Sequence, residues 1–201
     1  MVDFGFENAA IKQFGVKHVC GIDEAGRGPW AGPVVAAAVI LNPNDIPIGL
    51  NDSKKLNENQ RTRLAVEIQS TAIAYATAFV DAQIIDKINI LQATMLAMKN
   101  AVGGLSVCAD FALIDGNREP SLIIPCQTIV KGDGKSASIA AASILAKTAR
   151  DEFMIKCHQE FPHYGFDKHK GYGVPAHFEA LEKHGPCPLH RFSFKPIAHY
   201  R

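Results

Sequence analysis

Apolar residues fall into two kinds of pattern along this 201-residue chain. Short, nearly unbroken runs occupy residues 16–22 and 33–41, the second rich in valine and alanine, and each predicts a buried strand. Residues 71–80, with an Ala/Thr/Tyr/Phe mixture, and the runs 111–114 and 123–130 predict three more. Elsewhere the period lengthens. Ile84, Ile85, Ile88, Leu91, Met95 and Met98 recur at helical spacing within 81–102, and Gly103-Gly104 ends that helix. A polar, turn-like stretch at 51–59 leads through Asn57, a suitable cap, into a helix reaching about Ser70. The longest helical stretch runs from Ser136 to about Phe161, and Pro175 opens a shorter helix to His184. Residues 4–14 are amphipathic in character, with no role assigned to them. No repeat, long linker or low-complexity tract intervenes, so one domain over 1–201 is expected. Strands first, then strands alternating with helices, predict an α/β fold with a mixed sheet covered by helices.

Composition narrows the class. A hydrophobic content of 47% and a charged content of 20% belong to a globular protein with a full core. No apolar run approaches the ~20 residues that cross a bilayer, and the N-terminus lacks a basic region followed by an apolar one. A cytoplasmic protein without membrane association is the expectation. The five cysteines are odd in number and form no Cys-x-x-Cys pair, so reduced thiols are expected, with Cys20, Cys108 and Cys126 buried in apolar surroundings. Charge is uneven. Residues 1–130 carry 10 Lys/Arg against 13 Asp/Glu, a balance of −3, whereas 131–201 carry 11 against 7, a balance of +4. A basic C-terminal third beside an acid-bearing N-terminal part fits a polyanion-binding surface next to a metal site, and also fits ordinary surface variation.

The candidate chemistry sits where apolar runs end. Three strand candidates lead into acids: Asp23-Glu24, Asp115 and Asp133. In sheets faced by helices, groups at strand ends and adjoining helix starts often converge on one site. An aspartate after a strand is commonly a turn former or a cap, and that reading stands beside the functional one for each acid. Two adjacent carboxylates repel each other, so a fold that keeps both ionised usually supplies cations. All-oxygen ligands favour hard ions such as Mg²⁺ or Mn²⁺ over zinc. Gly26, Arg27 and Gly28 follow the first pair, freeing the backbone to approach a ligand and adding a fixed positive charge.

Ile22-Asp-Glu-Ala-Gly-Arg-Gly-Pro-Trp-Ala-Gly-Pro-Val-Val35 closely resembles the first motif of bacterial ribonuclease HII, the type 2 ribonuclease H family. The resemblance continues through Leu50-Asn-Asp-Ser-Lys-Lys-Leu56, Leu113-Ile-Asp-Gly-Asn117, Val130-Lys-Gly-Asp-Gly-Lys-Ser136, Ala140-Ala-Ala-Ser-Ile-Leu-Ala-Lys147, Tyr164-Gly-Phe-Asp-Lys-His-Lys-Gly-Tyr-Gly173 and His190-Arg-Phe-Ser-Phe194. It implies a ribonuclease H-like fold, with a five-stranded mixed sheet flanked by helices and a C-terminal helical extension. It also implies an endonuclease cutting the RNA strand of RNA–DNA hybrids, and cutting 5′ to single ribonucleotides in duplex DNA. By that resemblance Asp23, Glu24, Asp115 and Asp133 match the four family carboxylates. Asp23 is expected to bridge two Mg²⁺ or Mn²⁺ ions, with Asp133 on the nucleophile side and Glu24 and Asp115 on the other. Gly26-Arg27-Gly28 and Tyr172 match the groups that read the junction between a ribonucleotide and the following deoxyribonucleotide. Val174 departs from a threonine common in the family, so a hydroxyl contact is missing there.

A second set of residues is expected to face phosphate. Lys54 and Lys55 lie in the polar loop; Ser136 and Ser138 open the long helix, where free N–H groups favour an anion and where capping is an equal alternative. Ser143, Lys147 and Arg150 form one polar stripe, readable either as a phosphate contact or as a solvated face. His169 and Lys170 lie close to Tyr172. His177, His184, Cys187 and His190 resemble zinc ligands by type, but their order fits no common zinc pattern. A monomer is expected. Rival readings are a non-catalytic hybrid-binding module, which would bind without metal-dependent cleavage, and a DNA nuclease or recombinase on the same fold, which would cut all-DNA duplexes. A ribonuclease HIII would be longer and would lack the Gly-Arg-Gly motif.

Overall fold

A computed structural model describes residues 2–200. Five strands form one sheet in the order β3-β2-β1-β4-β5: β1 (Val19–Ala25), β2 (Val34–Ile40), β3 (Ala74–Val80), β4 (Phe111–Asp115) and β5 (Cys126–Ile129). β1 pairs with β2, and β2 with β3, antiparallel; β1, β4 and β5 run parallel. The mixed sheet is the one expected, with three boundary corrections. β1 continues through Asp23 and Glu24 instead of ending before them, so the two acids project to opposite faces of the sheet. β5 begins only after Pro125, which has no N–H for a ladder. β3 begins at Ala74.

The helices are α1 (Gly5–Phe14), α2 (Glu58–Thr71), α3 (Ala82–Gly103), α4 (Ala137–Glu160), α5 (Phe166–His169) and α6 (Pro175–His184). Asn57 caps α2 in a reciprocal capping box with Gln60. α3 is not one continuous helix. Asn89 sits at φ 66° and its side chain accepts from the N–H groups of Leu91 and Gln92, restarting the helix at mid-length. α1, left without a role in the sequence, is a full helix closed by Gly15 in the left-handed region.

β2 is buried along its whole length, because α3 covers one face of the sheet and α2 with α4 the other. Alternation along β1 follows: Cys20 and Ile22 pack on the α3 side, while Gly21 lies against α4. A Cβ at Gly21 would stand 2.1 Å from the Ser138 carbonyl carbon, so glycine there brings the start of α4 hard against β1. The C-terminal extension packs Tyr164, Phe166, Leu181 and Ile197 around Met154 of α4. All five cysteines are unpaired; Cys20 is buried, but Cys108 is exposed, against expectation, because it lies in the loop before β4.

Candidate active site

Parallel pairing decides the first contact. Ile22 of β1 stands beside Ile114 of β4, so one residue further on Asp115, the last residue of β4, comes beside Asp23 of β1. Asp115 Oδ1 accepts from the Gly132 N–H at 2.6 Å, which draws in the turn carrying Asp133. Asp23 Oδ1 accepts from the Glu24 N–H at 2.7 Å. Asp23 and Asp133 are buried, and Glu24 and Asp115 are partly so. Burial first, and then the charges of Glu24 and Asp115, push the Asp23 carboxyl well above the ordinary range. Glu24 is raised by burial despite the Arg27 guanidinium 3.4 Å away, and Asp133 by burial, Asp115 and Asp52. Crowded, partly desolvated acids of this kind lower their energy by taking a proton or a cation.

The cations the chain supplies are few. Lys54 faces Asp52, Asp23, Asp133 and Asp115; burial would lower its affinity for protons, but those four acids outweigh it and raise it. Asp52, a fifth acid at this cleft, was missed in the sequence because it reads as a cap, and its side chain does accept from the Lys54 N–H at 2.9 Å. Ser143 is buried and shares a 2.8 Å hydrogen bond with Ser53, while also reaching Asp23. No group of three or more His, Cys, Asp or Glu side chains among the described residues closes into a metal cage. Asp23 and Glu24 line an open cleft of about 500 Å³ instead, bordered by Gly26, Arg27, Gly28, Lys54, Lys147 and Tyr172. An open, oxygen-only site fits hard divalent ions that keep positions for substrate and water.

Two buried arginines build the cleft's rim. Arg191 donates to the carbonyls of Gly26 (2.6 Å), Arg27 (3.0 Å) and Gly32 (2.9 Å). Arg150 donates to those of Pro33 (3.0 Å), Ala31 (3.1 Å) and Lys170 (3.0 Å). Neither is within salt-bridge distance of a carboxylate among the described residues; burial lowers both, Arg191 to about 9. Gly26 has φ +92°, and a Cβ there would overlap Arg150 Nε at 2.0 Å, so this position needs glycine on both counts. The Arg150 guanidinium also lies 5.9 Å from the centroid of the Tyr172 ring, which is exposed on the rim.

Behind Tyr172 runs a chain of imidazoles. His177 Nδ1 lies 2.9 Å from the Tyr172 carbonyl, which can only accept, so this nitrogen carries the proton. His177 Nε2 must then accept from His190 Nε2, 3.0 Å away, and His190 Nδ1 accepts from the Cys187 N–H at 3.0 Å. Burial, before any other cause, lowers both histidines to about 4, which keeps them neutral. Three of the four zinc-like residues thus converge, as a directional hydrogen-bond chain; His184 lies instead against His163, the two rings tilted at 48°.

Several residues expected at phosphate are committed elsewhere. Ser136 and Ser138 are wholly buried: Ser136 caps Ile139, and Glu7 occupies the helix start where an anion was expected. His169 uses both nitrogens within its own loop, at the Tyr164 carbonyl and the Gly171 N–H. Lys170 Nζ donates to the Asp167 carbonyl, and Arg150 is core rather than a solvated stripe. Lys147 reaches the cleft edge while paired with Asp151 at 2.7 Å. Lys55 lines a separate groove, and Val174 stands at the N-cap position of α6 with no side-chain cap hydrogen bond.

A sheet of this order with acids at its parallel strand ends defines the ribonuclease H-like class. Residues 20–197 match the family model described as Ribonuclease HII. A ribonuclease HII of Dechloromonas aromatica is 63% identical over 180 residues, covering 90% of this chain and 92% of that protein. The ribonuclease H2 of Pyrococcus horikoshii superposes with a TM-score of 0.79 at 26% identity, over 92% of this chain and 97% of that one. Bst-RNase HIII, solved in complex with Mn²⁺, shares the fold with a TM-score of 0.73 at 20% identity, over 95% of this chain and 71% of that one. The chain belongs to the ribonuclease HII family, and it is a ribonuclease H, an endonuclease acting on RNA–DNA hybrids.

Proposed function

We propose that the cleft hydrolyses phosphodiesters at ribonucleotides, both in RNA–DNA hybrids and 5′ to single ribonucleotides in duplex DNA. The observation that carries this is the convergence of Asp23, Glu24, Asp115 and Asp133 beside the Gly26–Arg27–Gly28 turn and the Tyr172 ring. Those four carboxylates would hold two divalent cations, Mg²⁺ or Mn²⁺, a count and identity the oxygen-only donors and the family support. Bound there, the ions would activate water and stabilise the leaving oxygen, giving 3′-hydroxyl and 5′-phosphate ends.

The protein's own groups do the selecting. The Gly26–Gly28 backbone, held by Arg191 through two carbonyls, presents rigid polar groups to a 2′-hydroxyl, which both donates and accepts. The Tyr172 ring offers a face for the adjoining sugar, and His177 holds the Tyr172 backbone through its carbonyl. Arg27, half-exposed beside Glu24, and Lys147 at the cleft edge are the candidates for phosphate. Lys54 sits among the acids, and its role is to hold their charge in the absence of metal. No helix among the described residues is long and apolar enough to cross a membrane.

The test is cleavage of an end-labelled DNA duplex carrying one ribonucleotide, with Mg²⁺, Mn²⁺ or EDTA, beside an all-DNA duplex. One metal-dependent cut on the 5′ side, absent from all-DNA, is expected. Tight binding without cleavage in either metal would overturn the catalytic reading, and cutting of all-DNA duplex would overturn the ribonucleotide reading.

A further inference from the structure

The start of α4 accounts for each of its four unpaired N–H groups, and half of that account comes from the N-terminal segment. Ala137 N–H donates to the Asp3 carbonyl at 2.8 Å, and Ser138 N–H to Glu7 Oε1, also at 2.8 Å. Ile139 N–H donates to Ser136 Oγ, and the Ser136 N–H to the Gly132 carbonyl. Ser136 Oγ in turn donates to Glu7 Oε1 at 2.6 Å. Asp3 N–H donates to the Lys135 carbonyl at 3.1 Å, forming a parallel bridge with Ser136. Glu7 is completely buried, although it lies on a ten-residue helix whose other buried residue is Ala10. A carboxylate at a helix N-terminus is favoured by the helix dipole, and here it also ties one helix to another.

What that junction holds is the Asp133 turn. Residues Gly132–Gly134 form a single 3₁₀ turn directly followed by Lys135 and Ser136, and the Ser136 N–H donates back to the Gly132 carbonyl at 2.8 Å. Ser136 is therefore held on one side by the Asp133 turn and on the other by Glu7. α1 itself is anchored away from the cleft: Phe14 stacks on Phe111 at 5.0 Å, and Ala10 packs among Val19, Leu113, Ile129 and Ile139. The segment 2–14 also lies ahead of residue 20, where the match to the family model begins.

We propose that Glu7 is a positioning residue for the active site, setting the Asp133 turn through Ser136 and the first turn of α4. The proposal rests on the reading of Asp133 as a metal-holding carboxylate. Its reach is local: Glu7 touches neither substrate nor metal, and it acts by limiting the arrangements open to residues 132–140. Groups one shell behind a metal ligand typically cost roughly 10–100-fold in metal affinity or activity when removed. The loss should fall on turnover and metal demand, with little on substrate KM, because the Tyr172 rim is held by Arg150, near the middle of α4 and well past its first turn.

The experiment is amide hydrogen exchange on the metal-free protein, together with steady-state cleavage of a single-ribonucleotide duplex over a Mn²⁺ titration. In Glu7→Ala, exchange over residues 132–140 is expected to quicken roughly tenfold while that of residues 34–40 in β2 stays put. Turnover should fall about tenfold, half-saturation by Mn²⁺ should move to higher concentration, and KM should hold. In Glu7→Gln the amide oxygen still accepts from Ser136 and Ser138, so exchange and most of the turnover should return. Unchanged exchange at 132–140, equal quickening in β2, a loss confined to KM, or no rescue by glutamine would each overturn the proposal. An Asp133→Asn control separates the two readings: if that variant turns over normally, the metal assignment fails, while the exchange result still decides what Glu7 holds.

Discussion

The acid cleft and the loop frame beside it carry opposite, unbalanced charges. Where β1 passes the end of β4, Asp23, Glu24, Asp115 and Asp133 gather with Asp52, and among the described residues Lys54 and the half-exposed Arg27 answer them. Next door, Arg150 and Arg191 are buried without a carboxylate, and six backbone carbonyls satisfy them. The frame is thus complete in itself, each guanidinium matched by three backbone carbonyls. The cleft is complete only with cations from outside. Rigid surroundings with an unbalanced centre are what preorganised metal catalysis requires: the residues that hold shape should not be the ones that exchange ligands.

The sharpest break of this contrast is Asp23→Asn. Turnover should fall by at least about a hundredfold at saturating Mg²⁺, while the metal-free protein gains stability, of order 1–3 kcal/mol, since one uncompensated buried charge is gone. Wild-type turnover in that variant, measured alongside a thermal melt in EDTA, would remove Asp23 from the metal site. Arg191→Met should do the reverse. Stripping the Gly26 and Arg27 carbonyls of their donor costs about 2–4 kcal/mol in denaturant unfolding, and cleavage drops even in the fraction still folded. A variant as stable as wild type would mean the frame does not depend on that cation.

Tyr172→Ala comes next. Cleavage at a lone ribonucleotide should weaken roughly tenfold more than cleavage of a long hybrid, with the fold intact because the ring is exposed. Equal losses on both substrates would assign the tyrosine to general binding.

The smallest effects are in pH, and their signs separate the regions. Asp23, Glu24 and Asp133 keep protons to higher pH folded than unfolded, so the cleft is most stable below the ordinary carboxylate range. Its contribution declines as pH rises through the elevated values. His177 and His190 are lowered from 6.5 to about 4, so the unfolded chain takes their protons first and the frame loses stability as pH falls across that window. Melts of the metal-free protein should therefore show a shallower decline toward high pH in Asp23→Asn and a shallower acid limb in His190→Asn. Matching slopes in wild type and either variant would detach that residue from its limb.

Much of this was legible along the chain. The apolar runs located all five strands, and Asn57, Ser136 and Pro175 marked three helix starts, because strand burial and capping are local in cause. The four acids could be named because each follows an apolar run, and the family motifs pointed the same way. What misled was residue type without a partner. Ser136, Ser138, His169 and Arg150 are all suited to bind phosphate, yet Ser136, His169 and Arg150 are spent on other parts of the same chain, and Ser138 is sealed in the core with its backbone N–H on Glu7. Their partners lie up to 131 positions away, as Ser138 and Glu7 do, and no periodicity encodes such a pairing. The sequence by itself determined which segments are strands and helices and which acids end them, since these follow from neighbours along the backbone. Only the tertiary structure decided that Glu7 seats the start of α4, that two arginines lie buried among carbonyls, and that Lys54 belongs to the acids. Each of those depends on which buried groups meet across the packed layers, and such meetings between residues far apart in the chain leave no local pattern in it.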